Sequence, residues 1–438
     1  MLPILTQSYW RDEAFSVLLS SKSLADILLL TIKDVHPPLY YFLLHFWIGL
    51  FGDAEYATRS LSLLFLFLLT FSSFLLLRQL LGNWKLSLLG SLGILLNPFL
   101  IEYAFEARAY MLFAFLIVTA ALFYLKRKYL TSSIFLTLAI LSHNFGIFFL
   151  IAFLAFWFYE NKENLFKKIS QFVSLFSLPI VSFLGWLVFL WSQWTKLAEG
   201  FWIGPKTSSI FIDAFRSYFQ GSLDYPSKSM LYNITVALVF LALSYLIVQA
   251  AKKEKVFNNE GLFLVFLFAI PFLIVYLISA FWVPIYHERF LIPILPIFIV
   301  WVIYSLVKLN KVNVSLSYFI FALALGYVLF ALQSSEEIMR KTTKPAINYG
   351  VNQVLAQAQD TDAIIPESNL NFLETKYYAG RSGKNIPVYA YAPDGKIAFY
   401  IGAVLFEPNE IIREYPKNKR VWVITPNGGY HLKEDLAN

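Results

Sequence analysis

Residues 129–159, YLTSSIFLTLAILSHNFGIFFLIAFLAFWFY, decide how this chain is arranged. The stretch is 31 residues long, and its only ionisable side chain apart from tyrosine is that of His143. A helix needs about 20 apolar residues to cross a hydrocarbon core of roughly 30 Å, so the stretch is too long for one crossing and too short for two full ones. Whether it crosses once or twice determines the side on which every later loop lies.

Basic residues gather in the cytoplasmic loops of membrane proteins, and their positions answer this question. If the stretch crosses twice, one set of alternating loops carries 13 bases and four acids, whereas the opposite set carries ten bases and twelve acids. With a single crossing, every later basic loop would change sides. We therefore predict a short hairpin of two helices and place the basic loops in the cytoplasm.

The rest of the chain belongs to a polytopic α-helical membrane protein. Its 438 residues are 58% hydrophobic, with a mean hydropathy of +0.61, which excludes a soluble globular protein. The absence of cysteine excludes disulfides and thiolate metal sites. We predict ten spans in a plasma-membrane protein, at about 57–80, 86–103, 109–126, 129–142, 144–159, 169–191, 229–250, 261–283, 290–308 and 313–333.

Two further regions lie outside these spans. Residues 14–52 are amphipathic and aromatic, which favours helices in the outer interfacial plane. Residues 334–438 carry twelve bases and twelve acids, so the net charge of +7 belongs to the membrane part (1–333) and does not indicate nucleic acid. In this C-terminal region DAIIPES, KIAFYIGAVLF and RVWVITP predict strands, and AINYGVNQVLAQAQ predicts a helix. We expect a small extracytoplasmic α/β domain, and the loop 192–228 falls on the same side.

The polar residues that are candidates for chemistry share one face of the membrane. Ionisable groups in or near spans cost free energy and therefore need a reason. Here they fall at span ends or in loops of the outer side: Asp12, Glu13, His36, Glu106, Arg108, His143, Tyr286, His287, Glu288 and Arg289. Each segment taken alone is equally typical of an interfacial anchor, a helix start or a turn. A transport path would place polar groups near the midplane, so the pattern favours a site at the outer surface.

The motifs resemble a known family. YWRDEAFS, HPPLYYFLLHFWIGLFGDAEYATRSLS, NPFLIEYAFEARAYML and LSHNFG, in this order, are similar to the bacterial family-39 type of integral-membrane glycosyltransferases. This type belongs to the GT-C superfamily, with the protein O-mannosyltransferases and lipid A aminoarabinose transferases. The resemblance covers residues 9–160, and YHERFLIPILP resembles the family's arginine segment before a late span.

The resemblance implies that a sugar moves from a polyprenyl-phosphate carrier to a protein, lipid or glycan on the outer face. It makes Asp12 the catalytic acid–base residue, with Glu13 beside it. The donor phosphate and the substrate would then contact the remaining candidates, which are His36, Glu106, Arg108, His143, Tyr286, His287 and Arg289. Asp12 and Glu106 are the candidate ligands for a divalent cation, either magnesium, manganese or zinc.

Two departures from the family and two alternatives stay open. Only eleven residues precede Asp12, so we expect that the family's first helix is missing from this chain. Val35-His36 stands where some relatives carry an acidic-basic pair. The first alternative is a transporter or lipid flippase that uses the outer charged cluster as a gate. The second is an inactive scaffold whose outer domain binds a partner.

Overall fold

The computed structural model describes residues 2–198, 203, 210–220, 258–310, 331–341 and 344–433. The predicted span 229–250 lies outside the described residues, as do most of the span 313–333 and about half of the loop 192–228. The helices of the described part that are used below are α1 (Pro3–Thr6), α2 (Arg11–Ser20), α3 (Leu24–Lys33), α4 (Leu39–Phe51), α5 (Glu55–Leu81), α6 (Trp84–Leu95), α7 (Pro98–Ala104), α8 (Tyr110–Leu125), α9 (Tyr129–Ser142), α10 (Gly146–Asn161), α11 (Ile169–Ala198), α12 (Ile210–Gln220), α13 (Asn259–Phe281), α14 (Ile294–Asn310), α15 (Ile347–Gln357) and α16 (Phe372–Gly380).

The fold is mainly α, as predicted. Within the described residues, three helices are long and apolar enough to cross a membrane: Glu55–Leu81, Phe166–Leu190 and Asn259–Phe281. The other apolar helices that match predicted spans are α8, α9, α10 and α14, and these are shorter. The count of ten spans therefore stays a prediction.

The structure confirms two helices in residues 129–159. α9 runs alongside α8, and the hydroxyl of Ser132 donates to the carbonyl of Ala120 at 2.8 Å. α10 runs back so that its C-terminal end lies near the N-terminal end of α9. The evidence is the ion pair between Arg127, just after α8, and Glu160 at the end of α10, at 2.7 Å. The turn between them presents His143 and Asn144, and Asn144 donates to the carbonyl of Val35 at 2.6 Å.

The predicted span 86–103 is wrong as a single helix. It consists of α6 and α7, which meet at a bend of 61°. Pro98 has no N–H to continue the helical ladder, and its ring disfavours helical geometry in the residue before it. Asn97 instead caps α7, because its side chain accepts a hydrogen bond from the Leu100 N–H at 3.0 Å.

Residues 344–433 form a small α/β unit, and residues 331–340 before them are helical. The strands are β1 (Ala363–Pro366), β2 (Ala390–Tyr391), β3 (Ile411–Ile412), β4 (Val421–Ile424) and β5 (Tyr430–Leu432). β1 pairs in parallel with β4, which pairs antiparallel with β5, while β2 and β3 form a separate parallel pair. The boundary at residue 334 between the two predicted domains stays a prediction.

One predicted strand is wrong. KIAFYIGAVLF forms two 3-10 turns, Phe399–Ile401 and Ala403–Leu405, instead of a strand. Gly402 between them has a φ of +83°, a conformation that a strand does not contain and that glycine adopts without strain. A Cβ on this residue would lie 2.7 Å from Cδ2 of Phe15, so the turn packs directly against α2.

The N-terminal segment is fixed by one buried ion pair. Arg59 on α5 donates to both carboxylate oxygens of Glu13, at 2.8 and 2.7 Å, and both side chains are fully buried. The same guanidinium donates to four backbone carbonyls ahead of α2, those of Ile4, Leu5, Gln7 and Ser8. Glu13 in turn accepts from the backbone N–H of Ala107 at 3.0 Å. This pair therefore joins the N-terminal segment, α5 and the loop before α8.

The C-terminal unit is tied to the same segment through two adjacent tyrosines. The hydroxyl of Tyr378 accepts from the backbone N–H of Tyr9 and donates to Glu55, both at 2.7 Å. The hydroxyl of Tyr377 donates to the carbonyl of Asp53 at 2.7 Å. α16, which carries both tyrosines, packs against α2. The C-terminal unit therefore has a defined position next to the start of α2.

We expect Arg59→Met to destabilise the protein by about 3–5 kcal/mol, because it leaves the buried Glu13 carboxylate without a counter-ion. The measurement is thermal unfolding of the purified protein in detergent. Arg78→Met is the matched control, since Arg78 lies exposed on the same helix, and it should change stability by less than about 0.5 kcal/mol. Equal losses in both variants would contradict the assigned role of the pair.

Candidate active site

A cavity of about 90 Å³ lies where the N-terminal segment, the outer loops and the C-terminal unit meet. Five separate stretches of the chain contribute its lining. The residues are Arg11, Asp12, Phe15, Asp34, Val35, His36, Arg108, Tyr110, Arg289, Phe290, Phe399, Tyr400, Ile401 and Gly402. The cavity therefore combines acids and arginines with an aromatic wall.

Asp12 is surrounded by positively charged groups. Its carboxylate lies 3.2 Å from Nε of Arg11 and 3.6 Å from Nη2 of Arg289. Burial acts to raise the pKa of Asp12, but the guanidinium groups of Arg108, Arg289 and Arg11 outweigh it and hold this pKa well below its usual range. Asp12 is therefore an ionised carboxylate that borders the cavity.

Two arginines face Asp12 from other elements. Arg108 lies just ahead of α8 and is 5% exposed, and its Nη1 donates to the carbonyl of Asp12 and to the hydroxyl of Ser16, each at 3.2 Å. Arg289 lies over the rings of Trp10 and Phe290, at 5.4 and 5.5 Å from their centroids. Such cation–π contacts hold a guanidinium in place without neutralising it. Both guanidinium groups therefore border the cavity in fixed positions.

Asp34 and His36 form a second polar group on the cavity wall. Oδ2 of Asp34 lies 2.7 Å from Nδ1 of His36, and Nε2 of His36 lies 3.1 Å from Nη2 of Arg108. Asp34 is buried, whereas His36 is half-buried. Asn144, at the tip of the α9–α10 hairpin, holds the carbonyl of Val35 between them. The hairpin thus positions the loop that carries this pair.

Four of the predicted site residues meet in the cavity, and five do not. Asp12, His36, Arg108 and Arg289 line it, whereas Glu13, Glu106, His143, Tyr286 and His287 are absent from its lining. Glu13 belongs to the buried pair with Arg59. This contact occupies both of its oxygens and gives Glu13 a structural role, whereas its predicted catalytic role stays a prediction.

Glu106 pairs with Lys344, which precedes the C-terminal unit. Lys344 also lies over the ring of Trp10, with Nζ 4.5 Å from the centroid. Glu106 thus fixes the link to the C-terminal unit instead of facing the cavity.

The histidines outside the cavity are held by aromatic rings. His143 stacks on Phe113 with ring centroids 5.0 Å apart. Burial lowers the pKa of His143 well below its usual range, and the charges of Arg108 and Arg289 act in the same direction, so it is a neutral packing residue. His287 lies 3.3 Å from Glu288 and packs against Phe290. Tyr286 is 1% exposed and packs edge-on against Phe272.

Several cavity residues were not predicted. Arg11 and Tyr110 lie inside the motifs YWRDEAFS and NPFLIEYAFEARAYML, and Asp34 stands two residues before His36, so proximity to the candidates was the available signal. Residues 399–402 come from the segment that was predicted as a strand, and nothing in their sequence indicates a cavity wall.

The residues present do not fit a divalent cation at Asp12 and Glu106. Asp12 is compensated by guanidinium groups, and a second cation there would be repelled. Glu106 is paired with Lys344 and does not line the cavity. In the part of the chain that the structure describes, no three histidines, aspartates or glutamates group as metal ligands.

Comparison with known proteins identifies the fold. No protein-family model and no curated protein matches the chain. The crystal structure of ArnT from Cupriavidus metallidurans matches over 97% of this chain and 90% of its own, with a TM-score of 0.62 and 11% identity. The oligosaccharyltransferase AglB from Archaeoglobus fulgidus matches over 96% of this chain and 66% of its own, with a TM-score of 0.52 and 12% identity.

The chain therefore has the fold of ArnT and AglB, which confirms the GT-C-like architecture that the motifs implied. At identities of 11% and 12% the likeness defines the fold alone.

Behind the cavity, α16 carries a buried acid, Glu374, which is 3% exposed. Burial raises the pKa of Glu374 to about 8, from an ordinary value of 4.5. The charge of Arg11 acts in the opposite direction and does not offset this effect. Glu374 therefore holds its proton in the folded protein at pH values at which it is ionised in the unfolded chain.

We expect the stability of the protein to fall as pH rises from about 4.5 to about 8, because in this range the unfolded chain releases the proton of Glu374 while the folded protein keeps it. A raised folded pKa gives a contribution that is complete below about pH 4.5 and is lost as pH rises through about 8. Glu374→Gln should flatten this dependence and be the more stable form at pH 9, measured by tryptophan fluorescence during heating. Glu367→Gln, an exposed control in the same unit, should keep the wild-type slope. An unchanged slope in Glu374→Gln would contradict the assignment.

Proposed function

We propose that this protein is a glycosyltransferase that moves a sugar from a polyprenyl-phosphate donor to an acceptor hydroxyl on the outer face of the plasma membrane. The observation that carries the proposal is the ionised carboxylate of Asp12, which shares one cavity with Arg108 and Arg289. This transfer requires a general base for the acceptor hydroxyl and cations that bind the donor phosphate, placed next to each other. The GT-C-like fold of the chain supports the same conclusion.

The charge of the cavity suits a lipid-phosphate donor. Arg11, Arg108 and Arg289 line it together with two carboxylates, those of Asp12 and Asp34. An ArnT structure contains undecaprenyl phosphate, and an AglB structure contains a dolichol-phosphate. Nucleotide sugars are cytoplasmic, so a transferase that faces outward needs a donor delivered through the membrane. In our proposal the apolar tail lies among the membrane helices and the phosphate meets the arginines.

The chemical step is a single in-line displacement with Asp12 as general base. Its carboxylate accepts the proton of the acceptor hydroxyl while that oxygen attacks the anomeric carbon of the donor. The bond from this carbon to the phosphate oxygen breaks, and its electron pair stays on the departing phosphate. Arg289 and Arg108 stabilise the charge that develops there. One displacement inverts the configuration at the anomeric carbon.

A low pKa makes Asp12 a weak base in the resting cavity, and a bound phosphate changes its surroundings. The phosphate interacts with the same guanidinium groups that lower the pKa of Asp12. Its negative charge therefore raises the proton affinity of Asp12 when the donor is in place. Base strength and donor binding are coupled through Arg108 and Arg289.

The acceptor would approach past the C-terminal unit. The turn Phe399–Gly402 forms the wall of the cavity that this unit contributes. Tyr400 is 41% exposed, so its ring is available to a second substrate. An oligosaccharyltransferase neighbour has been crystallised with a tethered acceptor peptide, whereas a lipid or glycan acceptor fits the cavity chemistry equally well. We assign acceptor recognition to this turn.

We expect Asp12→Asn to lower sugar transfer about 100- to 10,000-fold, because the amide cannot accept the proton. The measurement is release of undecaprenyl phosphate from a panel of undecaprenyl-phosphate sugars by purified protein in vesicles. Asp360→Asn, an exposed control, should retain activity. Membrane insertion and the unfolding temperature of both variants should match the wild type. Wild-type activity in Asp12→Asn would remove Asp12 from the role, and uptake without product would favour a transporter.

We expect Tyr400→Ala to raise KM for the acceptor while KM for the donor stays unchanged. Loss of one aromatic contact, about 0.5–1.5 kcal/mol, corresponds to a 2- to 12-fold increase. Steady-state kinetics with each substrate varied in turn provide the measurement. Tyr349→Ala is the control, because Tyr349 is exposed on α15 and does not line the cavity. A rise in the donor KM instead would assign the turn to the donor.

A further inference from the structure

The tautomer of His36 follows from its two neighbours. A guanidinium N–H only donates, so Nε2 of His36 must accept the hydrogen bond from Nη2 of Arg108, at 3.1 Å. The ring proton therefore lies on Nδ1, where it is donated to the carboxylate of Asp34 at 2.7 Å. In this tautomer His36 links a buried carboxylate to an arginine that faces the cavity.

Arg108 donates hydrogen bonds to other acceptors besides His36. Its Nη1 is held by the Asp12 carbonyl and by Ser16, whereas its Nη2 points to His36. Among the described residues no carboxylate lies within ion-pair distance of Arg108. Nη2 carries a second N–H, and Nε has no hydrogen-bond partner among the described residues, so a phosphate oxygen that enters the cavity can accept from Arg108 directly beside His36.

A phosphate bound to Arg108 in this way places its negative charge next to Nε2 of His36. An imidazole between a phosphate and a carboxylate is favoured in its protonated form, because both neighbours are negative. The charged and titratable groups around His36 are Asp34 on its own loop, Arg108 ahead of α8, Asp12 on α2 and His143 at the hairpin tip. Phe15 and Tyr41 add only ring contacts.

We propose that His36 is a proton-dependent ligand of the donor phosphate, and that Asp34 is the positioning residue that makes this protonation possible. The inference rests on the proposed function and adds to it a coupling between donor binding and proton uptake. On binding, Nε2 takes one proton from solvent and donates it in a hydrogen bond to the phosphate. Asp34 balances the imidazolium charge through Nδ1.

The same proton completes the balance of the chemical step. The hydroxyl proton of the acceptor goes to Asp12, and the bond between the anomeric carbon and the phosphate oxygen breaks. The departing phosphate becomes a monoester, whose second pKa is about 6, and it accepts the proton from Nε2. Asp12 releases its proton to solvent afterwards, so uptake at His36 and release at Asp12 cancel over one turnover.

The test measures proton uptake on binding of a phosphate that does not itself titrate. The probe is farnesyl methyl phosphate, a diester whose charge is constant between pH 5 and 9. Calorimetry at one pH in two buffers of different ionisation enthalpy counts the protons taken up by the full-length protein in detergent. We expect the wild type to take up as much as one proton per diester, with affinity falling up to tenfold per pH unit at high pH.

The variants separate His36 from Asp34. Asp34→Asn keeps an oxygen that accepts from Nδ1 but loses the charge, so proton uptake and pH dependence should both decrease strongly. Asp34→Glu should restore them in part. His36→Lys supplies a permanent cation and should bind the probe without proton uptake. His431→Gln removes an exposed histidine in β5 and should behave as wild type.

The outcomes separate this inference from the proposed function. Binding of the diester by the wild type without proton uptake would overturn the role of His36 and leave the donor site intact. Proton uptake that persists unchanged in Asp34→Asn would overturn the positioning role. No binding by the wild type at any pH would overturn both this inference and the proposed donor site. Unfolding temperatures close to wild type establish that each variant is folded.

Discussion

The buried ion pair between Glu13 and Arg59 is the interaction on which the position of the cavity depends. Removing two charges from water costs several kcal/mol per ion, and only complete hydrogen bonding makes such a pair tolerable. Arg59 meets this condition by also binding four backbone carbonyls ahead of α2. Successive residues on a helix point about 100° apart, so fixing Glu13 inward turns Asp12 toward the cavity. Of the two adjacent acids, Glu13 thus belongs to the buried ion pair and Asp12 lines the cavity.

Much of the architecture follows from composition and loop charge. Residues 129–159 form two helices because they are too long for one crossing, and charge counting identified the turn at His143. The strands Ala363–Pro366 and Val421–Ile424 are fully buried runs, which a sequence reveals. The break at Asn97-Pro98 was missed because the apolar run continues through it. The turn at Gly402 was missed for a related reason, because the residues around this single glycine form a pattern that favours a strand.

Cavity residues could be predicted where a sequence motif contains them. They could not be predicted where their position depends on side chains far away in the sequence. Asp12, His36, Arg108 and Arg289 stand in motifs, and they meet in the cavity. Glu13 and Glu106 carry the same chemical group, but Arg59 and Lys344 occupy them. Lys344 is 238 residues from Glu106, and local patterns do not reveal a contact at such a distance. The roles of Asp34 and of the turn at Phe399 also depend on tertiary contacts alone.

The tyrosine contacts between α16 and the N-terminal segment limit how freely the C-terminal unit could be exchanged for another. Tyr378 binds the backbone of Tyr9, three residues before Asp12, while the turn at Gly402 packs on Phe15, three residues after it. The C-terminal unit thus contacts α2 and the residues before it on both sides of Asp12. We expect a chimera that exchanges this unit to change the position of Asp12 together with the cavity wall at Phe399–Gly402.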